Sequence, residues 1–270
     1  MMTNKVKQML NRGQVALGGG AGLGSAVTPE LIGMAGFDWV LTDNQHGSWD
    51  RYSSSLAFMS TRAGGAIPIT RVQENDHYAI GRLLDEGALG IIVPMVNTRK
   101  DAEAAAFACR YPPLGGRSVG TAGAQAYGAD YMEKANDEIL CIIQLETKVS
   151  IQNAEAIMSV DGVDGCWLGP GDLALSLGHE RNTPQHDAAV NKMIAACKKY
   201  GKAAGIAAGS VEQAKKWIDA GCTFISMGSD RGWIIGSARA EVEAMRYARR
   251  RKATVTATAT SKAKAKGRSR

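Results

Sequence analysis

The polar residues of this sequence that could do chemistry stand directly behind short apolar runs: Asp43-Asn44-Gln45-His46-Gly47, Arg71, Gln144-Leu145-Glu146, Gly169-Pro170-Gly171-Asp172 and Gly228-Ser229-Asp230. Glu146 and Asp172 follow consecutive runs, and two carboxylates so placed can share one hard cation, leaving its other positions to water and substrate oxygens. Either acid alone could equally cap a helix or meet a lysine; the pair shifts the balance toward a metal site. His46, close behind Asp43, can be oriented by that carboxylate and move protons near neutral pH, or it can be a plain loop histidine. Arg71 is permanently charged among acids and suits an enolate oxygen or a carboxylate, though an arginine in such a place can also just bridge loops. The glycines at 169 and 171 leave backbone N–H groups free for a carboxylate, and a helix starting near Asp172 adds a favourable dipole.

Other chemistries find less support. A Schiff-base route needs a lysine inside one of the apolar runs, but Lys148 lies just beyond Glu146 and Lys202 begins a run at its wrong end. The glycine-rich GGGAGLG at 18–24 is not in the strand–loop–helix setting, with an acid-ended second strand at dinucleotide spacing, that a dinucleotide site requires, and no P-loop is present.

These residues need a scaffold that brings the ends of separate runs together. The runs are VALGG at 15–19, DWVLTD at 38–43, AIPITR at 66–71, LGIIVPM at 89–95, ILCIIQLE at 139–146, DGCWLG at 164–169, KAAGIA at 202–207 and CTFISMG at 222–228. Between most of them lie stretches of helical spacing closed by a small-residue turn, such as HYAIGRLLDEGA and SVEQAKKWIDAGC. Continuous apolar strands buried on both faces, alternating with helices, require a parallel sheet, and eight such units predict one closed (β/α)₈ TIM barrel. In such a barrel the carboxyl ends of the strands form the active mouth, where all the residues named above would meet. The interval between the fourth and fifth runs is about twice the usual, and its excess, RYPPLGGRSVGTAGAQAYG at 110–128, reads as a long loop over a barrel mouth.

The chain has 270 residues, 45% of them hydrophobic, enough for a single barrel with a large core. No apolar stretch reaches the roughly 18 residues of a membrane span, and the N-terminal residues lack a secretory run, so a cytoplasmic protein is expected. Five dispersed cysteines without a CxxC pair predict reduced thiols, with Cys141 and Cys166 in strands. The net charge of +6 is localised: nine of the 32 basic residues lie in 249–270, which holds no acid, leaving 23 basic against 26 acidic residues before it. The division expected is a barrel over 1–252 and a basic, low-complexity, disordered tail over 253–270. The tail could bind nucleic acid, but without an aromatic residue such binding would be weak, unspecific and salt-sensitive.

FDWVLTDNQHG, PITR, LGIIVPMV, RYPPLGGRSVG, QLET and DGVDGCWLGPGDL, in this order over about residues 14–247, together resemble the HpcH/HpaI family of class II pyruvate aldolases. The resemblance implies a barrel of the phosphoenolpyruvate/pyruvate type and reversible aldol cleavage of a 4-hydroxy-2-oxo acid to pyruvate and an aldehyde. It implies a divalent ion, Mg²⁺ or Mn²⁺ with Co²⁺ or Zn²⁺ as alternatives, on Glu146 and Asp172, chelated by pyruvate. Arg71 would then stabilise the enolate, His46 with Asp43 would move protons at the aldol hydroxyl, the backbone of Gly171 and Asp172 would hold the carboxylate, and Gln144 would sit near the metal. A homohexamer is also implied, with Asp85 approaching a neighbouring subunit's site. Gln45 stands where some members have Glu, and Gly20 where several have Trp. The nearest alternatives on the same scaffold are cleavage of a malyl- or citramalyl-CoA type thioester and oxo-acid decarboxylation.

Overall fold

A computed structural model describes residues 3–120 and 122–267, with side chains described through residue 249 and at Lys252. Arg268 and Arg270 of the basic tail lie outside the described residues. Eight strands, β1 Ala16–Ala21, β2 Trp39–Asp43, β3 Ile67–Arg71, β4 Gly90–Val93, β5 Leu140–Leu145, β6 Gly165–Leu168, β7 Gly205–Ala208 and β8 Phe224–Ser229, pair in parallel and in sequence order. β8 returns to β1 and closes the barrel, so each expected apolar run supplies one strand. Every residue of β3 and β5 is buried, as strands enclosed by helices outside and packed side chains inside must be.

The barrel interior is filled. Trp39 and Phe224 stack with ring centroids 4.2 Å apart, and Trp39 Nε1 donates to Ala16 O at 3.3 Å. Gly18 makes this possible, because a Cβ there would lie 2.1 Å from the Trp39 ring. Helices begin soon after several strands on side-chain caps: Asp50, Asp76, Thr98, Thr147 and Ser210 each accept a backbone N–H. A cap stops the strand-to-helix loop early, which keeps the polar residues behind each strand at the mouth.

Asp230, just past β8, is 4% exposed and spends its carboxylate on the loop after β1. It accepts from Gly22 N (3.0 Å), Leu23 N (3.1 Å) and Thr28 Oγ1 (3.1 Å). It therefore ties the end of the last strand to the loop after the first.

The long 110–128 segment does not cover the active mouth. It follows helix Arg99–Cys109 and not a strand, so it starts at the opposite end of the barrel. There Arg117 pairs with Asp85, Arg110 with Asp161, and Tyr127 donates to Gly87 O. The segment continues through a 3₁₀ turn at Ala124–Tyr127 and helix Tyr131–Glu138.

All five cysteines are buried and free, with Cys141 in β5 and Cys166 in β6. By its internal contacts the chain divides into 1–230 and 231–270. Helix Asp230–Gly267 runs through the boundary expected at 252 and through 253–267, where no regular structure was expected; its alanines and lysines are good helix formers. Among the described residues no helix is long and apolar enough to cross a membrane.

Candidate active site

The carboxyl ends of the strands surround a cleft of about 480 Å³. His46, Arg71, Gln144, Gly169, Gly171 and Asp172 line it, so residues from the ends of four strands meet there as the barrel requires.

Arg71 is the most firmly held of them. The register of β2 and β3 sets Asp43 beside Arg71, and Asp43 accepts from Nε (2.9 Å) and Nη2 (2.5 Å) in a two-pronged pair. Nη1 reaches Gln144 Oε1 at 3.4 Å, and the guanidinium carbon lies 5.5 Å from the Trp167 ring centre. With 7% exposure, Arg71 presents a fixed charge to the cleft and not a mobile one. Burial alone would raise the Asp43 pKa, but the hydrogen bond and charge of Arg71, with the amides of His46 and Gln45, hold it below the usual carboxylate value.

This pairing changes the expected relation between Asp43 and His46. Of His46 only the backbone N–H reaches the Asp43 carboxylate, at 3.3 Å, which also accepts from Gln45 N and from Arg71. The imidazole of His46 lines the cleft from an exposed position, while Asp43 serves the arginine and shapes the loop.

Glu146 is 2% exposed. Its carboxylate accepts from Met95 N at 2.8 Å and from Gln144 Nε2. Met95 occupies the left-handed region, with φ of 56°, an uncommon conformation for a residue with a side chain, and its N–H is thereby turned to Glu146. Burial pushes the Glu146 pKa up; the Met95 amide opposes this, and the facing Asp172 carboxylate adds to the rise. A Cβ on Gly169 would come 3.0 Å from Gln144 Nε2 and 3.1 Å from Glu146 Oε2, so glycine leaves room for these two side chains.

Two close carboxylates, one buried and reluctant to ionise, are a donor set that a hard divalent cation suits. Among the described residues no group of three or more His, Cys, Asp or Glu is arranged to hold a metal. A site here would therefore rest on Glu146 and Asp172 alone.

Asp85 does not line this cleft. It ends helix His77–Asp85, pairs with the fully buried Arg117 at 2.8 Å, and borders a smaller hollow with His77, Tyr78 and Arg82. Burial raises its pKa, against the opposing charge of Arg117.

The cleft also extends over the end of β7, a half that sequence reading missed. Arg181, Asn182, His186, Gln213 and Trp217 line it. None directly follows a strand, so the search of strand ends could not find them; Trp167, also missed, sits inside β6 where it reads as core.

With the geometry described, comparison with known proteins adds a family. Residues 23–236 match the sequence model of the family described as HpcH/HpaI aldolase/citrate lyase. A 5-keto-4-deoxy-D-glucarate aldolase of Salmonella paratyphi C (strain RKS4594) is 36% identical over 241 residues, which are 87% of this chain and 94% of that protein. Among solved structures, an HpcH/HpaI aldolase/citrate lyase family protein from Burkholderia cenocepacia J2315 superposes with a TM-score of 0.85 at 31% identity, covering 90% of this chain and 100% of that one. The citrate synthase SbnG gives a TM-score of 0.80 at 28% identity, with 89% and 97% covered.

Proposed function

The chain belongs to the HpcH/HpaI aldolase/citrate lyase family and is a carbon–carbon lyase of the aldehyde-lyase type; from that premise we propose that it cleaves a 4-hydroxy-2-oxo acid, reversibly, to pyruvate and an aldehyde. The observation that carries the proposal is the pairing of Asp43 with Arg71 at the same mouth as Glu146 and Asp172. Asp172 and Arg71 line the cleft, and the buried Glu146 faces Asp172.

Glu146 and Asp172 would hold a divalent ion, Mg²⁺ or Mn²⁺ by the hardness of the donors, and the ion when bound would polarise the ketone and acidify the carbon beside it. Arg71 is preorganised by Asp43 and Gln144 to receive the oxygen on which negative charge develops, so little reorganisation is needed as the carbon–carbon bond breaks. His46, exposed in the cleft, would take the proton of the aldol hydroxyl in cleavage and return it in synthesis. Gln144, bonded at one end to Arg71 and at the other to Glu146, couples the positions of the two halves. The amides of Gly171 and Asp172, at the start of helix Pro170–Leu177, suit the substrate carboxylate.

The relative named for 5-keto-4-deoxy-D-glucarate supports an acidic sugar-derived substrate of that kind. The proposed cellular form is a cytoplasmic homohexamer in which Asp85 approaches a neighbouring subunit's site. Proton exchange at the pyruvate methyl in D₂O, followed by NMR with Mg²⁺ or Mn²⁺ and with a chelator control, tests the reading without knowledge of the aldehyde. Metal-dependent exchange is expected. Its failure in folded protein would redirect the assignment to cleavage of CoA thioesters.

A further inference from the structure

The half of the cleft over β7 contains a cation that the roles above leave unused. Helix Pro170–Leu177 offers the amides of Gly171 and Asp172, Pro170 having none, and among the described residues neither amide has an acceptor. The Arg181 guanidinium fills the space that a side chain at Gly171 would take: a Cβ there would lie 2.9 Å from Nη2 and 3.5 Å from Cζ. Arg181 lines the cleft and, among the described residues, has no hydrogen-bond or ion-pair partner.

The loop bearing it is fastened at several points. His186, in helix Pro184–Lys199, has Nε2 3.2 Å from Pro170 O; a carbonyl only accepts, so Nε2 carries the hydrogen. Gln213 Nε2 donates to Asn182 Oδ1 at 3.4 Å while its Oε1 accepts from Gly209 N at 3.0 Å. His186 is itself 2% exposed, lines the same cleft and leaves Nδ1 without a partner among the described residues, a second sign that this wall is made for a polar ligand.

We infer that Arg181 binds the carboxylate of the 2-oxo acid, completing with the Gly171 and Asp172 amides a three-donor anion cradle. The inference rests on the aldolase reading and deepens it: the site selects an ionised oxo acid over its neutral analogues, and His186 is a positioning residue that holds the start of the helix. A permanently charged guanidinium matches a carboxylate across the working pH range. Because this contact exists before and after bond cleavage, its loss raises KM and leaves kcat nearly unchanged.

The test compares wild type, Arg181→Met and Arg181→Lys, as full chains with Mg²⁺, by ligand-observed NMR with pyruvate and with neutral pyruvamide, alongside methyl proton exchange. The expected result is pyruvate binding about ten- to a hundredfold weaker in Arg181→Met, the range a charged hydrogen bond gives. Pyruvamide binding should be unchanged, with partial recovery in Arg181→Lys. Equal pyruvate affinity in wild type and Arg181→Met overturns the inference while leaving the aldolase reading intact. Equal losses for pyruvate and pyruvamide also overturn it, because they assign the arginine a structural role. A wild type that binds no pyruvate overturns the aldolase reading and the inference with it.

Discussion

Asp43 grips Arg71 through both carboxylate oxygens, across adjacent strands paired residue for residue. Asp43→Asn should therefore loosen the arginine without removing it, lowering kcat about a hundredfold, the scale of losing one preorganised charge contact. The same pair sets a pH limit on stability. The folded pKa of Asp43 lies below its unfolded value of about 3.9, so its contribution is complete above that pH and is lost as pH falls through the lower, folded value. Thermal melts of wild type and Asp43→Asn should begin to converge as pH falls below about 4 and meet only below the folded pKa of Asp43.

His46 is exposed and lines the cleft without building its walls. His46→Ala should cut aldol turnover by about 10²- to 10⁴-fold, the usual worth of a general acid–base. Mn²⁺ affinity by isothermal titration should not change; a parallel loss of affinity would mean that the histidine belongs to the metal end.

Gln144 and Glu146 have room for their polar ends because residue 169 lacks a side chain. Asp172→Asn should abolish Mn²⁺ binding, and Gly169→Ala should weaken it by pressing on Gln144 and Glu146. Both variants should retain the wild-type circular dichroism spectrum, so that the titrations read the site and not the fold.

Arg117 has no side-chain exposure and is the partner of Asp85 and Tyr131. Arg117→Ala would leave the half-buried Asp85 carboxylate unpaired and should destabilise the protein by about 1–3 kcal/mol. Urea denaturation gives the value; a loss below about 1 kcal/mol would show that water reaches Asp85.

Removing 253–270 should leave metal-dependent proton exchange unchanged and abolish any salt-sensitive retention on nucleic acid. Loss of exchange would give the segment a part in the catalytic fold.

The barrel was legible because its signal is repeated: eight buried runs separated by helical spacing admit few other folds. Strand ends then located Arg71, Glu146 and Asp172, whose positions follow from backbone topology. What escaped were pairings that depend on side-chain reach. The nearness of Asp43 to His46 in sequence suggested a partnership, whereas the cross-strand neighbour Arg71 holds the carboxylate. Arg181 enters the cleft from the loop after helix Pro170–Leu177 and Gln213 from inside the helix after β7, so neither directly follows a strand. Composition marks 110–128 as a long loop over a barrel mouth without saying which; its place after a helix puts its start at the end opposite the cleft.

The seam at Asp230 has a consequence for how the protein is made. The loop after β1 is secured by a residue synthesised more than two hundred positions later. During vectorial translation β1 must wait with one edge unpaired until β8 and Asp230 leave the ribosome, the condition under which exposed strand edges recruit other chains. Folding yield should thus depend on what shields β1 in the nascent chain, and a circular permutant opened between β4 and β5, which makes the β8-to-β1 seam early, should shorten that exposure.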